Sequence, residues 1–311
     1  MSVFTVVTEQ ELSVWLQRYN LQLVGLEGIA AGVTNTNYFV TTTHGRWVLT
    51  LFETLKLEEL PFYLRLMSHL AQHGVACPAP LADQDDQLAT MLAGRPACLV
   101  SCLSGSDVSA PNAAQCRAVG DMLASMHRAG ETFSHKMDNP RGPHWWTQVA
   151  GQLYPLMPAA DAHSLKQEIH FQSQHRFSHL PRGVVHADLF KDNVLLDGER
   201  IAGFIDFYYA CNDILIYDVA IAVNDWARNA QGEIDADLAR AFLQGYQAMR
   251  PFNPQEIKAW PLMLRAAALR FWTSRLLDLY QPMPGALTYT KDPTVFQKLL
   301  DAHRQRQDFW L

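Results

Sequence analysis

The sequence predicts an α+β fold in two lobes, with a five-stranded antiparallel sheet and one long helix in the N-terminal lobe and a larger, mostly helical C-terminal lobe. Three observations support this prediction. The chain has 311 residues, enough for two lobes that share a cleft. Its first third consists of short strand-like runs between turn residues. After Leu103-Ser104-Gly105 the apolar spacing becomes helical, so we assign residues 1–103 to the first lobe and residues 104–311 to the second.

The elements of the first lobe follow from capping residues, turns and apolar spacing. Thr8 and Glu11 form a capping box at the start of a first helix. Apolar residues at helical spacing from Leu60 to Leu70 predict the long helix, which ends at Gly74. The five strands are predicted at residues 21–26, 38–43, 47–52, 87–92 and 97–102.

The second lobe is predicted to contain helices around a small strand-rich segment. That segment has strands at residues 183–186, 194–196 and 201–205, and a turn at Asp197-Gly198 joins the last two into a hairpin. One helix carries Val119, Leu123 and Met126 on one face. Further helices are predicted near residues 144–154, 161–176, 213–228, 234–249, 254–280 and 293–307.

Composition argues against several classes of protein. The formal net charge is −6 and the sequence has no long basic run, so neither a nucleic acid nor an anionic membrane is an expected partner. No stretch approaches the roughly 18 consecutive apolar residues of a membrane-spanning helix, and the first residues do not have the pattern of a signal peptide. The five cysteines are expected to be reduced. We therefore expect a soluble, cytoplasmic protein.

The most informative motif is an HxDxxxxN sequence, residues 186–193, followed by the hairpin and an apolar strand that ends at Asp206. Phosphoryl transfer requires a carboxylate that orients the attacking hydroxyl and accepts its proton, and Asp188 is our candidate for this base. Magnesium prefers oxygen ligands, which Asn193 and Asp206 would supply, because the hairpin returns Asp206 towards Asn193. We expect His186 to orient the loop. The pattern predicts a kinase that uses ATP and Mg²⁺.

These residues resemble the aminoglycoside phosphotransferase and choline kinase superfamily, distant relatives of protein kinases, and within it the type II homoserine kinases. The likeness to the homoserine kinases lies in residues 28–40, 48–53, 223–226 and 264–272, which are scattered over nearly the whole chain. It implies the two-lobed protein-kinase-like fold, with nucleotide bound by the first lobe and the acceptor by the second. It also implies that Asp218 supports the loop backbone, and that the reaction is phosphorylation of L-homoserine in threonine biosynthesis.

The resemblance also places the loop that covers the nucleotide phosphates at Gly28–Asn37, where small residues let backbone N–H groups approach phosphate oxygens. Related kinases carry Lys or Arg on the third strand, whereas this chain has Thr50 there. Arg46 or Lys56 could substitute, the metal could neutralise more of the charge, or the nucleotide could bind in a different position. The residues expected to contact the nucleotide are Gly32, Thr34, Asn35, Asn37 and Thr50.

An acceptor such as homoserine requires groups that bind its carboxylate and its ammonium. Arg265 and Arg270 lie on one otherwise apolar helix and are candidates for the carboxylate. Asp225 is the candidate for the ammonium, and Tyr208, with its neighbour Tyr209, could shape the pocket.

The sequence also permits other functions. A choline or ethanolamine kinase would need an aromatic cage for the ammonium, which the eight tryptophans permit. An aminoglycoside kinase would need a strongly acidic cleft, and the acids are not concentrated in the C-terminal helices. Because Thr50 replaces the usual cation, a non-catalytic pseudokinase that only binds its ligand is a further alternative. A metal-dependent hydrolase would use similar residues, but the order of loop and hairpin does not suggest one.

Overall fold

The structure is a computed structural model that describes residues 5–29, 34–175, 177, 179–282 and 291–311. The chain divides into two compact units. The first comprises Met1–Gly105 and Ala202–Ile205, and the second comprises Ser106–Ile201 and Asp206–Leu311. No helix in the described ranges is both long enough and apolar enough to span a membrane.

The first unit contains the five-stranded antiparallel sheet that the sequence predicts. Its strands are β1 (Leu23–Gly28), β2 (Thr36–Thr42), β3 (Gly45–Leu51), β4 (Thr90–Leu92) and β5 (Arg95–Ser101), in the order β1-β2-β3-β5-β4. The helices are α1 (Glu9–Leu16), which begins at the Thr8–Glu11 capping box, and α2 (Leu60–Gln72). Leu12 and Leu16 of α1 are buried in an apolar cluster with Val40 and Leu49 of the sheet, which fixes this helix on the sheet.

The second unit is mainly helical. Its helices are α3 (Ala113–Ala129), α4 (Pro143–Leu153), α5 (Ala159–Gln174), α6 (Leu215–Trp226), α7 (Ala236–Met249), α8 (Pro254–Tyr280) and α9 (Thr294–Gln305). Between α5 and α6 lie the short strands β6 (Arg182–Val185), β7 (Val194–Asp197), β8 (Arg200–Phe204) and β9 (Cys211–Ile214). β7 pairs with β8 in the predicted hairpin, and β6 pairs with β9. The predicted α+β class is therefore confirmed.

The sequence-based prediction was wrong about residues 211–214. It began a helix at residue 213, whereas α6 begins at Leu215 and the preceding four residues form β9. Backbone pairing with β6 keeps this segment extended: Gly183 lies opposite Asp213, and Val185 lies opposite Cys211. Since β6 leads directly into the HxDxxxxN sequence, this small sheet fixes the start of the loop.

Helix α6 is the central element of the second unit. All 12 of its residues are buried, including Asp218, Asn224 and Asp225, and its neighbours include the long helix α8. Buried carboxylates are costly unless they accept hydrogen bonds or pair with cations. The partners of these two aspartates therefore show what the helix holds in place.

Candidate active site

The loop formed by residues 186–193 connects β6 to β7 and brings Asp188 and Asn193 together. The Asn193 amide nitrogen donates to the Asp188 backbone oxygen at 2.7 Å and to its carboxylate at 3.2 Å. The amide oxygen of Asn193 therefore points away from Asp188. The Asp188 side chain is 16% exposed, so a ligand can reach it.

Asp218 of α6 holds the start of the 186–193 loop. Its two carboxylate oxygens accept the backbone N–H groups of His186 at 2.7 Å and Ala187 at 2.8 Å. Ala187 has a φ of 62°, a left-handed conformation that an L-residue with a Cβ adopts only at a cost of roughly 1–2 kcal/mol. The hydrogen bonds that these backbone N–H groups donate to Asp218 stabilise the strained backbone immediately before Asp188.

A buried chain of hydrogen bonds holds the Asp218 carboxylate in position. His127 of α3 lies 3.0 Å from the Asp218 carboxylate through Nε2, and 2.7 Å from the Tyr246 hydroxyl through Nδ1. The hydrogen-bonding network assigns the ring proton to Nε2, which donates to Asp218, while Nδ1 accepts from Tyr246. Arg250 donates to the Tyr246 oxygen and pairs with Glu256 at 2.9 Å, so this chain of hydrogen bonds ends in a buried ion pair.

Asp225 holds the other end of the 186–193 loop. Its carboxylate accepts the backbone N–H of Lys191 at 2.9 Å and pairs with Arg228 at 2.9 Å. The sequence-based hypothesis assigned Asp225 to an acceptor ammonium. In the structure both oxygens are already bonded and only 7% of the side chain is exposed, so a positioning role explains this residue better.

Asp206 follows β8 in a left-handed conformation, with φ 61° and ψ 58°. Burial raises the pKa of its carboxyl to about 6; Asp192 raises it further, whereas the backbone N–H of Tyr208 favours the charged form. Burial also raises the pKa of Asp188 to about 7; Arg270 opposes this shift and Asp206 adds to it. These two aspartates therefore interact electrostatically and would gain from a nearby cation.

His186 is fully buried, and its ring lies against Phe207 with centroids 4.7 Å apart. A buried ring packed in this way suits a residue that orients the loop. The prediction that it does so stays a prediction.

The predicted nucleotide-contacting residues lie in the first unit. Gly32 lies outside the described residues. Thr34 is exposed and precedes β2, whereas Asn35 is 8% exposed and its Oδ1 has no hydrogen-bond partner in the described ranges. Thr50 is 4% exposed and donates to the Asn37 side chain at 2.8 Å across the β2–β3 pair. The Thr50 hydroxyl is thus already hydrogen-bonded to Asn37, the last residue of the predicted loop.

Arg46 was one candidate to replace the missing cation on β3. It lies four residues from Thr50, about 13 Å along the strand. Its guanidinium stacks on Phe39 at 3.8 Å and pairs with Glu27 at 3.3 Å. These contacts keep Arg46 near the β2–β3 turn. Lys56, the other candidate, is exposed and follows β3.

The two candidate arginines of α8 have different environments. Arg265 makes a bidentate pair with buried Glu168, at 2.6 and 3.1 Å, and Glu168 also pairs with Arg304. Arg265 is therefore better explained as a structural residue than as a substrate anchor. Arg270 is 4% exposed, and its nearest carboxylate is that of Asp188, with N···O 4.0 Å.

Tyr208 and Tyr209 form a short turn with Phe207 after Asp206. Tyr208 contributes its backbone N–H to Asp206. Tyr209 lies beside two arginines, with its ring centroid 5.2 Å from the Arg270 guanidinium and 5.9 Å from that of Arg141. Sequence reasoning missed Arg141, which lies in the turn before α4 and carries no recognisable motif.

A family model described as the phosphotransferase enzyme family matches residues 25–252. The chain belongs to this family and is a phosphotransferase. It is 52% identical to a homoserine kinase of Neisseria meningitidis serogroup B over 96% of this chain and 99% of the relative. It is also 50% identical to a homoserine kinase of Methylobacillus flagellatus, over 96% of this chain and 94% of that protein.

A solved structure with the same fold is an amicoumacin kinase in complex with AMP-PNP and Ca²⁺. It has a TM-score of 0.69 and 16% identity, and the match covers 96% of this chain and 92% of that one. At this level of identity the likeness concerns the fold alone. The protein-kinase-like fold that the resemblance implied is confirmed.

Proposed function

We propose that this protein transfers the γ-phosphoryl group of ATP to the side-chain hydroxyl of L-homoserine, as a cytoplasmic enzyme of threonine biosynthesis. The observation that carries this proposal is identity of 50–52% with homoserine kinases over 96% of the chain. The 186–193 loop supports it independently, because its geometry suits phosphoryl transfer to an alcohol.

In this proposal Asp188 orients the homoserine hydroxyl and accepts its proton. The Asn193 amide holds the Asp188 carboxylate in place at 3.2 Å, and Asp218 fixes the backbone on which that carboxylate is mounted. Because the side chain lies at the edge of the buried region, a hydroxyl can approach it while most water is kept away. His186 serves to orient the loop.

The residues present fit a magnesium ion. No group of three or more His, Cys, Asp and Glu side chains in the described ranges is arranged to hold a metal. A nucleotide-bound Mg²⁺ needs only one or two protein oxygens, since phosphates and water complete its shell. Asp206 and the amide oxygen of Asn193 would be these ligands. When bound, the ion would neutralise charge on the transferring phosphoryl group.

We place the nucleotide phosphates against the turn between β1 and β2, where Gly32, Thr34, Asn35 and Asn37 would contribute hydrogen bonds. Support comes from Asn35, a buried amide whose oxygen lacks a partner in the described part of the chain. Thr50 would act through Asn37, to which it donates at 2.8 Å. This arrangement supplies no side-chain cation, so the metal would carry more of the neutralisation.

An ADP-release assay tests the proposed function directly. The protein would be incubated with Mg-ATP and, separately, L-homoserine, choline, ethanolamine, methylthioribose and an aminoglycoside. We expect kcat/KM for homoserine to exceed every other value by at least about 100-fold, since a site that pairs with a substrate's polar groups rejects analogues lacking them. Turnover of another acceptor, with none of homoserine, would refute the proposal.

A further inference from the structure

Two arginines beside Tyr209, Arg141 and Arg270, lack the close ion pairs that Arg265 and Arg250 make. Arg270 has only the 4.0 Å approach to Asp188, and Arg141 has no carboxylate within 4.0 Å in the described ranges. Residues outside those ranges include no Asp or Glu, so the sequence offers no hidden acidic partner. Arg265 and Arg250, by contrast, each pair with a buried glutamate at 2.6–2.9 Å.

Both guanidiniums lie beside the ring of Tyr209. Arg270 is 5.2 Å and Arg141 is 5.9 Å from its centroid, and Arg141 also stacks over Trp145 at 4.5 Å. The two groups come from separate elements, Arg270 from α8 and Arg141 from the turn before α4. Their convergence beside Tyr209 is therefore a product of the tertiary fold.

The turn that carries Arg141 is firmly attached to β9. The Met137 N–H donates to the Asn212 side chain at 2.9 Å, and the Asn212 N–H donates to the Met137 carbonyl at 2.7 Å. Asn139 donates to Asp213 at 2.7 Å and accepts the Arg141 backbone N–H at 2.8 Å. Arg141 is thus mounted on a pre-organised turn, as a binding residue should be.

Two neighbouring guanidiniums without a carboxylate closer than 4.0 Å among the described residues are costly to bury. Burial lowers the pKa of Arg141, and the positive charge of Arg270 acts in the same direction. Asp278 and the Tyr209 hydroxyl oppose this shift, but Asp278 lies on the exposed part of α8 and forms no ion pair with either arginine. An anion placed between the two guanidiniums would relieve their repulsion.

We propose that Arg141 and Arg270 together bind the carboxylate of the acceptor, so that the site selects a hydroxy-amino acid over an amino alcohol. This inference rests on the proposed function. In extended homoserine, four bonds near 1.5 Å each place the carboxylate carbon about 5 Å from the hydroxyl oxygen. With that hydroxyl on Asp188, the carboxylate reaches the guanidinium of Arg270, which lies 4.0 Å from the same aspartate. Arg141, which lies beside the same Tyr209 ring, then supplies the second guanidinium.

The test compares two acceptors in three forms of the protein. The acceptors are L-homoserine and 3-aminopropan-1-ol, which lacks only the carboxylate. The forms are the wild type, Arg141→Met, and the control Arg240→Met, which removes an exposed arginine of α7. Arg141 is preferred to Arg270 because it does not approach Asp188, so its loss leaves the base undisturbed.

We expect Arg141→Met to raise the homoserine KM at least about 10-fold, because the substrate carboxylate loses at least one charge-assisted hydrogen bond. The kcat should stay within about 3-fold of the wild type. Its kcat/KM for 3-aminopropan-1-ol and its KM for ATP should stay within about 2-fold. The inhibition constant of L-2-aminobutyrate, which keeps the carboxylate but has no hydroxyl, should rise in parallel. Arg240→Met should behave as the wild type.

An unchanged homoserine KM in Arg141→Met would overturn the assignment, as would an equal loss with both acceptors. Thermal unfolding of each variant shows whether such a loss reflects misfolding. Arg141→Lys is a second variant, which keeps the positive charge but lacks the planar guanidinium. If the wild type fails to phosphorylate homoserine at all, the proposed function is refuted, and the carboxylate site is refuted with it.

Discussion

Asp188 lies among charges that change its pKa in opposite directions. Burial raises the pKa of its carboxyl to about 7, Arg270 lowers it, and Asp206 raises it. A general base works best when its pKa is near the working pH, because it is then both ionised and able to hold a proton. The environment of Asp188 therefore suits the role that we propose for it.

Replacing this carboxylate removes the base with little change in shape. We expect Asp188→Asn to lower kcat with homoserine by about 100-fold or more. The midpoint of thermal unfolding should stay close to that of the wild type, since the amide occupies the same volume at a partly exposed position. A variant with a near-normal rate would show that another group accepts the proton.

The charge of Arg270 gives a second prediction at this scale. The guanidinium favours the ionised form of Asp188, so its removal raises the pKa of the carboxyl. Since the base must be ionised to act, the acidic limb of the kcat/KM–pH profile should move to higher pH in Arg270→Met. A limb that stays in place or moves to lower pH would contradict the electrostatic coupling of these two residues.

At the scale of elements, helix α6 links the core of the second unit to the 186–193 loop. Asp218 and Asp225 are seven residues apart, so they lie on the same face of the helix, two turns from each other. Asp218 binds the backbone of His186 and Ala187, and Asp225 binds that of Lys191. One buried helix therefore fixes both ends of the 186–193 loop.

Removal of the Asp225 carboxylate should loosen the loop and destabilise the fold. Asp225→Ala leaves the Lys191 N–H and the Arg228 guanidinium without their partner, which we expect to lower the free energy of unfolding by about 3 kcal/mol. Asp237→Ala is the matched control, because it breaks an exposed pair of the same spacing with Arg240 and should cost less than about 1 kcal/mol.

Kinetics would separate this positioning role from the binding of an ammonium group. If Asp225 positions the loop, Asp225→Ala lowers kcat while the homoserine KM changes no more than the ATP KM. A selective rise in the homoserine KM, with kcat and stability preserved, would instead restore the original hypothesis that Asp225 contacts the acceptor.

The site is only partly predictable from the sequence, and the reason is distance along the chain. Asp188, Asn193 and Asp206 could be proposed because they belong to one short loop and hairpin whose local pattern specifies them. Arg141 could not, because its turn is held by Asn212, which is 75 residues from Met137 in the sequence. Its contribution depends on a tertiary contact that leaves no local pattern.

Helical geometry could have separated the two arginines of α8 in advance. Arg265 and Arg270 are five residues apart, which places them about 140° apart around the helix, so they cannot both face one pocket. The choice between them depends on Glu168, a buried residue of α5 that pairs with Arg265. Which long-range partner is present could not be read from the sequence.

The fold of the whole chain was more predictable than the site. Apolar spacing and capping residues located the five strands of the first unit and the main helices of the second, because each is specified over 5–20 neighbouring residues. The start of α6 was misplaced since β9 exists only through its pairing with β6. The local sequence pattern therefore predicts which helices and strands form, whereas contacts between them determine where each one begins and ends.

A buried histidine of α9 gives a prediction about the stability of the folded protein in acid. His303 of α9 is 2% exposed, and its Nε2 lies 2.8 Å from the Asn224 side-chain oxygen. Burial lowers the pKa of His303 to about 3, and the charges of Arg306 and Arg265 contribute. The folded protein therefore keeps this ring neutral, with Nε2 donating to Asn224.

Between pH 3 and 6.5 the unfolded chain binds a proton at this position and the folded protein does not. Stability from the neutral ring is thus fully present above pH 6.5 and is lost as the pH falls through this window. From pH 7 to pH 5 the loss amounts to about 2 kcal/mol of unfolding free energy.

We expect His303→Gln, which can still donate to Asn224, to remove that part of the pH dependence. Denaturant unfolding at pH 7 and pH 5 would measure it: the wild type should lose about 2 kcal/mol more than the variant between the two pH values. His163→Gln, a change at an exposed position of α5, should retain the full dependence of the wild type. Equal losses in the wild type and His303→Gln would mean that His303 also binds a proton in the folded protein, and that the interface between α6 and α9 admits a charge.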